Sequence, residues 1–169
     1  MDKDSLLASG YLMALGAVTA LVGLMEIILD LSGSSFETSL VVMGEEAGDF
    51  MLWRGLILLT GGAMIVSGAM GLEHLKGLGK ALLGTMMVWI VGLVNLFALV
   101  TGAVLADEES TGLFVTTLGD LLDGLAGPYV PAILLLPLTL PVAYLAIREW
   151  RSDPDMEEAV SPADETRAA

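Results

Sequence analysis

The chain has 169 residues, 55% of them hydrophobic, with a mean hydropathy of +0.78, a net charge of −14, one histidine (His74) and no cysteine. A soluble domain rarely carries so large an apolar share, because its surface must be polar, so the composition points to a membrane protein. The missing cysteines exclude disulfides, thiolate metal sites and cysteine nucleophiles; the single histidine excludes bis-histidine haem ligation within one chain; and the acidity leaves no basic face for a nucleic acid.

Four apolar runs follow one another: Leu6–Leu29, Phe50–Leu72, Ala81–Leu105 and Tyr129–Ile147, of 24, 23, 25 and 19 residues. A bilayer core of about 30 Å needs about 20 helical residues at about 1.5 Å each, so three runs span with some tilt and the fourth is close to the minimum. The runs are continuous rather than alternating, which argues for helices and against a transmembrane barrel. The expected fold class is therefore an all-α membrane protein with four transmembrane helices over residues 1–151, followed by an acidic tail over 152–169.

Charge gives the helices a direction. Lys3, Lys76, Lys80, Arg148, Arg151 and Arg167 all fall on one side if four helices cross, whereas residues 30–49 and 106–128 hold ten acids and no Lys or Arg. Basic flanks stay in the cytoplasm, so the expected orientation has both termini inside, in a cell membrane. The three lysines and the dense acidity also suggest a halophilic archaeal source, since high salt screens the self-repulsion of such a surface.

Helix one places Ser9, Gly16 and Gly23 seven apart on one stripe with Ala20 beside them. The outer loop that follows, Leu31–Asp49, mixes Ser, Gly and acids around a small apolar patch, Leu40–Met43, suited to dipping into the interface or packing on the helix ends. Glu45, Glu46 and Asp49 are oxygen ligands for a hard cation or, more simply, screened surface charge. Helix two carries Gly55, Gly62 and Ala69 seven apart, and Ala63, Ser67 and Gly71 four apart; small residues of this kind let membrane helices approach closely. A short inner connection, Glu73–Lys80, has Gly77 and Gly79 as helix breakers. Helix three offers Ala98 and Gly102 for packing.

In the second outer loop, Leu113, Phe114, Leu118, Leu121, Leu122 and Leu125 fall on one helical face, with Thr116, Asp120 and Asp123 opposite, which predicts a short amphipathic surface helix. Helix four tolerates Pro131 in its first turn, but Pro137 and Pro141 each remove an interior hydrogen bond. The expectation is a kink, or local unwinding over Leu136–Leu140. The tail beyond Ser152 is acidic with few large apolar groups and should be disordered.

The candidate site residues are the polar groups within these helices. Glu26 lies near the outer end of helix one, and Arg54 lies one turn into helix two from the same side, so the two share a depth and suit an ion pair that sets helix register. Asn95 is the main polar group of helix three, flanked by Thr85 and Thr101, and is expected to bond across to another helix. Trp53 and Trp150 suit interfacial anchoring, and Trp89 packing. Glu26 resembles the single first-helix glutamate of small four-helix multidrug carriers, but its interfacial depth, the available Arg54 and the long outer loops depart from that design. No catalytic triad, phosphate loop or complete intramembrane protease motif is present.

The sequence thus reads as a small non-enzymatic membrane protein with a structural, accessory or assembly role. No catalytic, cofactor-binding or metal-ligating set is expected. The bilayer is its solvent, and a second copy or another membrane protein its candidate partner. The alternative is a small transporter or channel built on Glu26, Asn95 and the proline-broken fourth helix.

Overall fold

The computed structural model describes residues 3–43, 51–71, 75–105 and 128–151. Four helices dominate them: α1 (Lys3–Ser32), α2 (Met51–Ala69), α3 (Leu75–Leu105) and α4 (Pro131–Arg151). Three contain segments long and apolar enough to cross a membrane, Leu6–Ser32, Met51–Ala69 and Lys76–Thr101, whereas α4 offers a shorter apolar stretch, Pro131–Leu145. The second-loop amphipathic helix, the Glu45–Glu46–Asp49 cluster and the acidic tail lie outside the described residues.

Consecutive helices pack antiparallel, in steps of seven residues. On the α1–α2 seam Gly16 meets Gly62 and Gly23 meets Gly55, while one step further Ser9 Oγ donates to the Ala69 carbonyl at 3.0 Å. A Cβ added to Gly55 would stand 2.8 Å from the Gly23 carbonyl oxygen, closer than backbone and side chain tolerate, so these helices touch at their backbones. The α2–α3 seam repeats the device with Gly61 against Gly84 and Gly68 against Gly77 and Ala81. Helix α2 thus carries doublets every seven residues, Gly61–Gly62 and Gly68–Ala69, and gives one member of each to either neighbour. The doublet before them is Arg54–Gly55, so Arg54 holds the position that faces α3. Glycine weakens a soluble helix through its backbone entropy, but in lipid, where water expulsion between helices is absent, close approach is what drives association.

Helix α4 packs differently. Gly92 of α3 accepts Leu136 and the Ala132 carbonyl, and α4 reaches α1 more lightly. Larger side chains fill the centre: Leu12, Leu15, Leu58, Ile65, Val88, Leu135 and Val142 form the buried core.

Three sequence expectations need correction. Helix α3 begins at Leu75, and Gly77 and Gly79 do not break it; Gly77 is instead used for the close approach to Gly68 and Gly71. Helix α4 is continuous through Pro137 and Pro141, so the unwinding over Leu136–Leu140 does not occur. Proline removes only its own N–H, so only the carbonyls four residues earlier, Ile133 and Pro137, lose their helical donor; nearby, Tyr11 on α1 donates its hydroxyl to the Leu138 carbonyl, and Thr139 donates to that of Leu136 at 2.7 Å. Finally, Ala63, Ser67 and Ala98 are exposed on the outside of the bundle rather than packed within it.

The loop between α1 and α2 contains a hairpin the sequence did not announce. β1 (Phe36–Glu37) pairs antiparallel with β2 (Val42–Met43), Phe36 opposite Met43. Gly33, at φ 60°, ends α1: its N–H bonds the Asp30 carbonyl at 3.2 Å and that of Ser34 bonds the Leu29 carbonyl at 3.0 Å, a left-handed cap that only glycine adopts without strain. Tyr129 adds to the hairpin, donating to the Leu40 carbonyl at 2.9 Å and accepting from Val42 N at 3.1 Å. The apolar patch divides: Met43 is buried and Leu40 is exposed.

Candidate functional site: a buried polar clasp

Each member of the clasp comes from a different helix. Glu26 stands one turn before the end of the apolar part of α1, and Gly23, three residues earlier, lets α1 touch α2 there. Gly55 makes the same allowance from α2: a Cβ on it would lie 3.2 Å from that of Glu26 and 2.8 Å from Ile27 Cγ1. The neighbouring Arg54 side chain then has only a short way to reach. Its Nε donates to Glu26 Oε2 at 3.0 Å, with Glu26 0% and Arg54 3% exposed.

Asn95 of α3 completes the arrangement. Arg54 Nη1 donates to Asn95 Oδ1 at 3.4 Å, a long contact, and Asn95 Nδ2 donates to the Val91 carbonyl of its own helix at 2.8 Å. The intrahelical bond fixes the amide so that its oxygen faces the guanidinium. Opposite charges of the pair cancel, which is the condition on which ions persist in a low-dielectric interior. The second carboxylate oxygen, Glu26 Oε1, is buried and has no hydrogen-bond partner among the described residues.

The structure therefore brings together Glu26, Arg54 and Asn95. It keeps Pro137 and Pro141 apart from them, both exposed on the outer face of α4. Thr85 and Thr101 serve their own helices, donating to the carbonyls of Ala81 and Phe97 at 2.8 Å each. Met51, one turn before Arg54, is 2% exposed and closes α2 above the clasp.

Two interhelical links escaped the sequence reading. Trp89 Nε1 donates to Thr139 Oγ1 at 2.7 Å, joining α3 to α4, and Tyr11 joins α1 to α4 through the Leu138 carbonyl. A tryptophan deep in an apolar run carries an N–H that must be satisfied, and that is the signal from which the first could have been inferred. Among the described residues no group of three or more His, Cys, Asp or Glu could hold a metal ion. No protein-family model, curated protein or solved structure matches the chain, so the reading of the clasp rests on its own geometry.

Proposed function

We propose that this is a four-span membrane protein with both termini cytoplasmic, a non-enzymatic structural or accessory component whose Glu26–Arg54–Asn95 clasp locks the register of α1, α2 and α3. The observation that carries this reading is the charge-compensated pair, almost wholly buried, at the outer end of two glycine seams. A seam of glycines alone permits sliding, because backbone-to-backbone contact is similar at neighbouring registers. An ion pair buried at one level penalises every other register by leaving a charge uncompensated, a penalty of about 3–5 kcal/mol. The fourth apolar run is short, and Arg148, Trp150 and Arg151 follow it in the sequence, residue types that favour a membrane interface.

The transport alternative needs the proline region of α4 to face Glu26 and Asn95. Pro137 and Pro141 face outward instead, and Arg54 already occupies the carboxylate, so the geometry favours the structural role.

Cross-linking tests the proposal in this cysteine-free chain. Cysteines at Ser9→Cys and Ala69→Cys, across the inner end of the α1–α2 seam, should oxidise to one disulfide in vesicles. Adding Arg54→Leu should lower the yield several-fold and spread cross-linking to Ser9→Cys with Met70→Cys. An unchanged yield would sink the register lock. Proton or sodium flux into protein-loaded vesicles above that of empty ones would instead establish the transport reading.

A further inference from the structure

The outward face of α4 carries backbone acceptors that its own helix does not serve. Pro137 and Pro141 have no N–H, so the carbonyls of Ile133 and Pro137 lose their helical donors. A helical carbonyl points toward the residue four positions on. That of Pro137 therefore lies between two exposed residues, Pro137 and Pro141, and that of Ile133 between a half-buried residue and an exposed one. The side-chain donors on this helix go elsewhere: Tyr11 and Thr139 serve Leu138 and Leu136, and Trp89 serves Thr139.

Depth makes this costly. Trp89 stands at the middle of the apolar segment Lys76–Thr101, and its bond to Thr139 puts Pro137 and Pro141 near the same mid-level. In hydrocarbon no water reaches such a carbonyl, and neighbouring protein is what serves it.

The same stripe holds a donor. Tyr144 follows Pro137 by seven residues, is 66% exposed, and bonds no described residue through its hydroxyl. Side chains of a helix lean toward its N-terminus, so Tyr144 leans back toward Pro141 and away from the end of the apolar stretch at Leu145. The Pro137 carbonyl points the opposite way, to the level of Pro141, about 4.5 Å of rise before Tyr144. Within one helix the Pro141 ring stands between the two. On a facing helix nothing does.

We propose that the Pro137–Pro141–Tyr144 face of α4 is the interface of a symmetric dimer, in which Tyr144 of each copy donates to the Pro137 carbonyl of the other. A two-fold axis along the membrane normal sets the same residue of both copies at one depth, so a stripe that holds both donor and acceptor is complementary to itself. That property selects a second copy as the occupant, since lipid tails offer no donor. The dimer extends the structural reading of the chain and rests on its crossing a bilayer, not on the clasp; the Ser9→Cys/Ala69→Cys cross-link lies within one chain and reads the clasp separately.

Counting photobleaching steps tests it, on the full chain labelled through Ala169→Cys in phosphatidylcholine vesicles, at a salt concentration where circular dichroism shows intact helices. Two-step vesicles should exceed chance co-capture and rise with protein density. Tyr144→Phe should weaken dimerisation about five- to tenfold, two symmetric bonds at roughly threefold each. Pro141→Ala restores the N–H that the Pro137 carbonyl lacks and should weaken it by a similar factor, while Tyr144→Phe/Pro141→Ala should be no weaker than either single change. Both positions are exposed, so neither change disturbs the core. In the unlabelled chain, Pro137→Cys keeps the carbonyl and its missing donor and should oxidise to a linked dimer, whereas Val94→Cys, exposed on α3, should not. A chain monomeric at every density, full-strength dimers in Tyr144→Phe, additive losses in the double variant, or stronger cross-linking at Val94→Cys would each overturn the proposal.

Discussion

The two sides of the bundle are joined by different physics. Between α1, α2 and α3 the backbones touch at glycines spaced by seven, and the polar groups form a compensated ionic clasp. Helix α4 meets α3 at one glycine, Gly92, buries Leu135 and Val142 in the core, and is tied by single side-chain bonds to backbone or hydroxyl, from Tyr11 and Trp89, and by the Tyr129 contact with the hairpin. Close approach and charge belong together: Arg54 reaches Glu26 because Gly23 and Gly55 remove the bulk between them. On the α4 side Gly92 admits Leu136, and the interhelical side-chain bonds come from the longer aromatic residues Tyr11 and Trp89. The first side is therefore expected to be rigid and intolerant of change, and the α4 side adaptable.

The largest effect should come from splitting the clasp. Arg54→Leu leaves a buried, uncompensated carboxylate and should destabilise the bundle by about 3–5 kcal/mol in a detergent or denaturant titration. Overpacking the seam comes next. A Cβ on Gly62 would stand 2.6 Å from the Gly16 carbonyl oxygen, so Gly62→Leu should cost about 1–3 kcal/mol, whereas Gly10, with nothing within 4 Å of its added Cβ, should tolerate alanine without loss. Equal tolerance at the two positions would erase the contrast between seam and surface.

On the α4 side the effects shrink. Trp89→Phe forfeits one interhelical bond and should cost about 1 kcal/mol, near the upper part of the range measured in membranes. Tyr11→Phe, at an exposed site, should cost about 0.6 kcal/mol or less, read by the same titration. A loss at either position as large as that of Arg54→Leu would mean that α4 is as firmly keyed as the other three. Salt acts on the whole molecule: with a net charge of −14, melting should rise from about 0.1 M to multimolar sodium chloride as the screening length falls. Equal melting in both would remove the halophile reading.

Much of this was legible in the residues, and the rest depended on facts a single chain order does not carry. Continuous apolar runs need no tertiary information, so the helices and their approximate limits could be read directly. Successive runs cross in opposite directions, which set Glu26 and Arg54 at one depth, and the two pair at 3.0 Å. That Asn95 would face Arg54, and not lipid or another helix, depends on which faces of α2 and α3 meet. The same ignorance left Ala63 and Ser67 looking like packing residues, because small spacing marks a close approach without naming the neighbour. Gly77 and Gly79 read as breakers since glycine weakens soluble helices, yet Gly77 is where α3 approaches the end of α2. The hairpin at Phe36–Met43 is too short for alternation to register.

The most direct test of the clasp is a double-mutant cycle of Glu26→Gln and Arg54→Leu, measured as unfolding free energy in one membrane mimetic. Each single change leaves one buried group of the pair without its counterpart, while the double change removes both. The two losses should fall short of adding by about 2 kcal/mol, within the range for directly contacting residues. Losses that add to within about 0.5 kcal/mol would mean that Glu26 and Arg54 act independently, and the register lock would be contradicted.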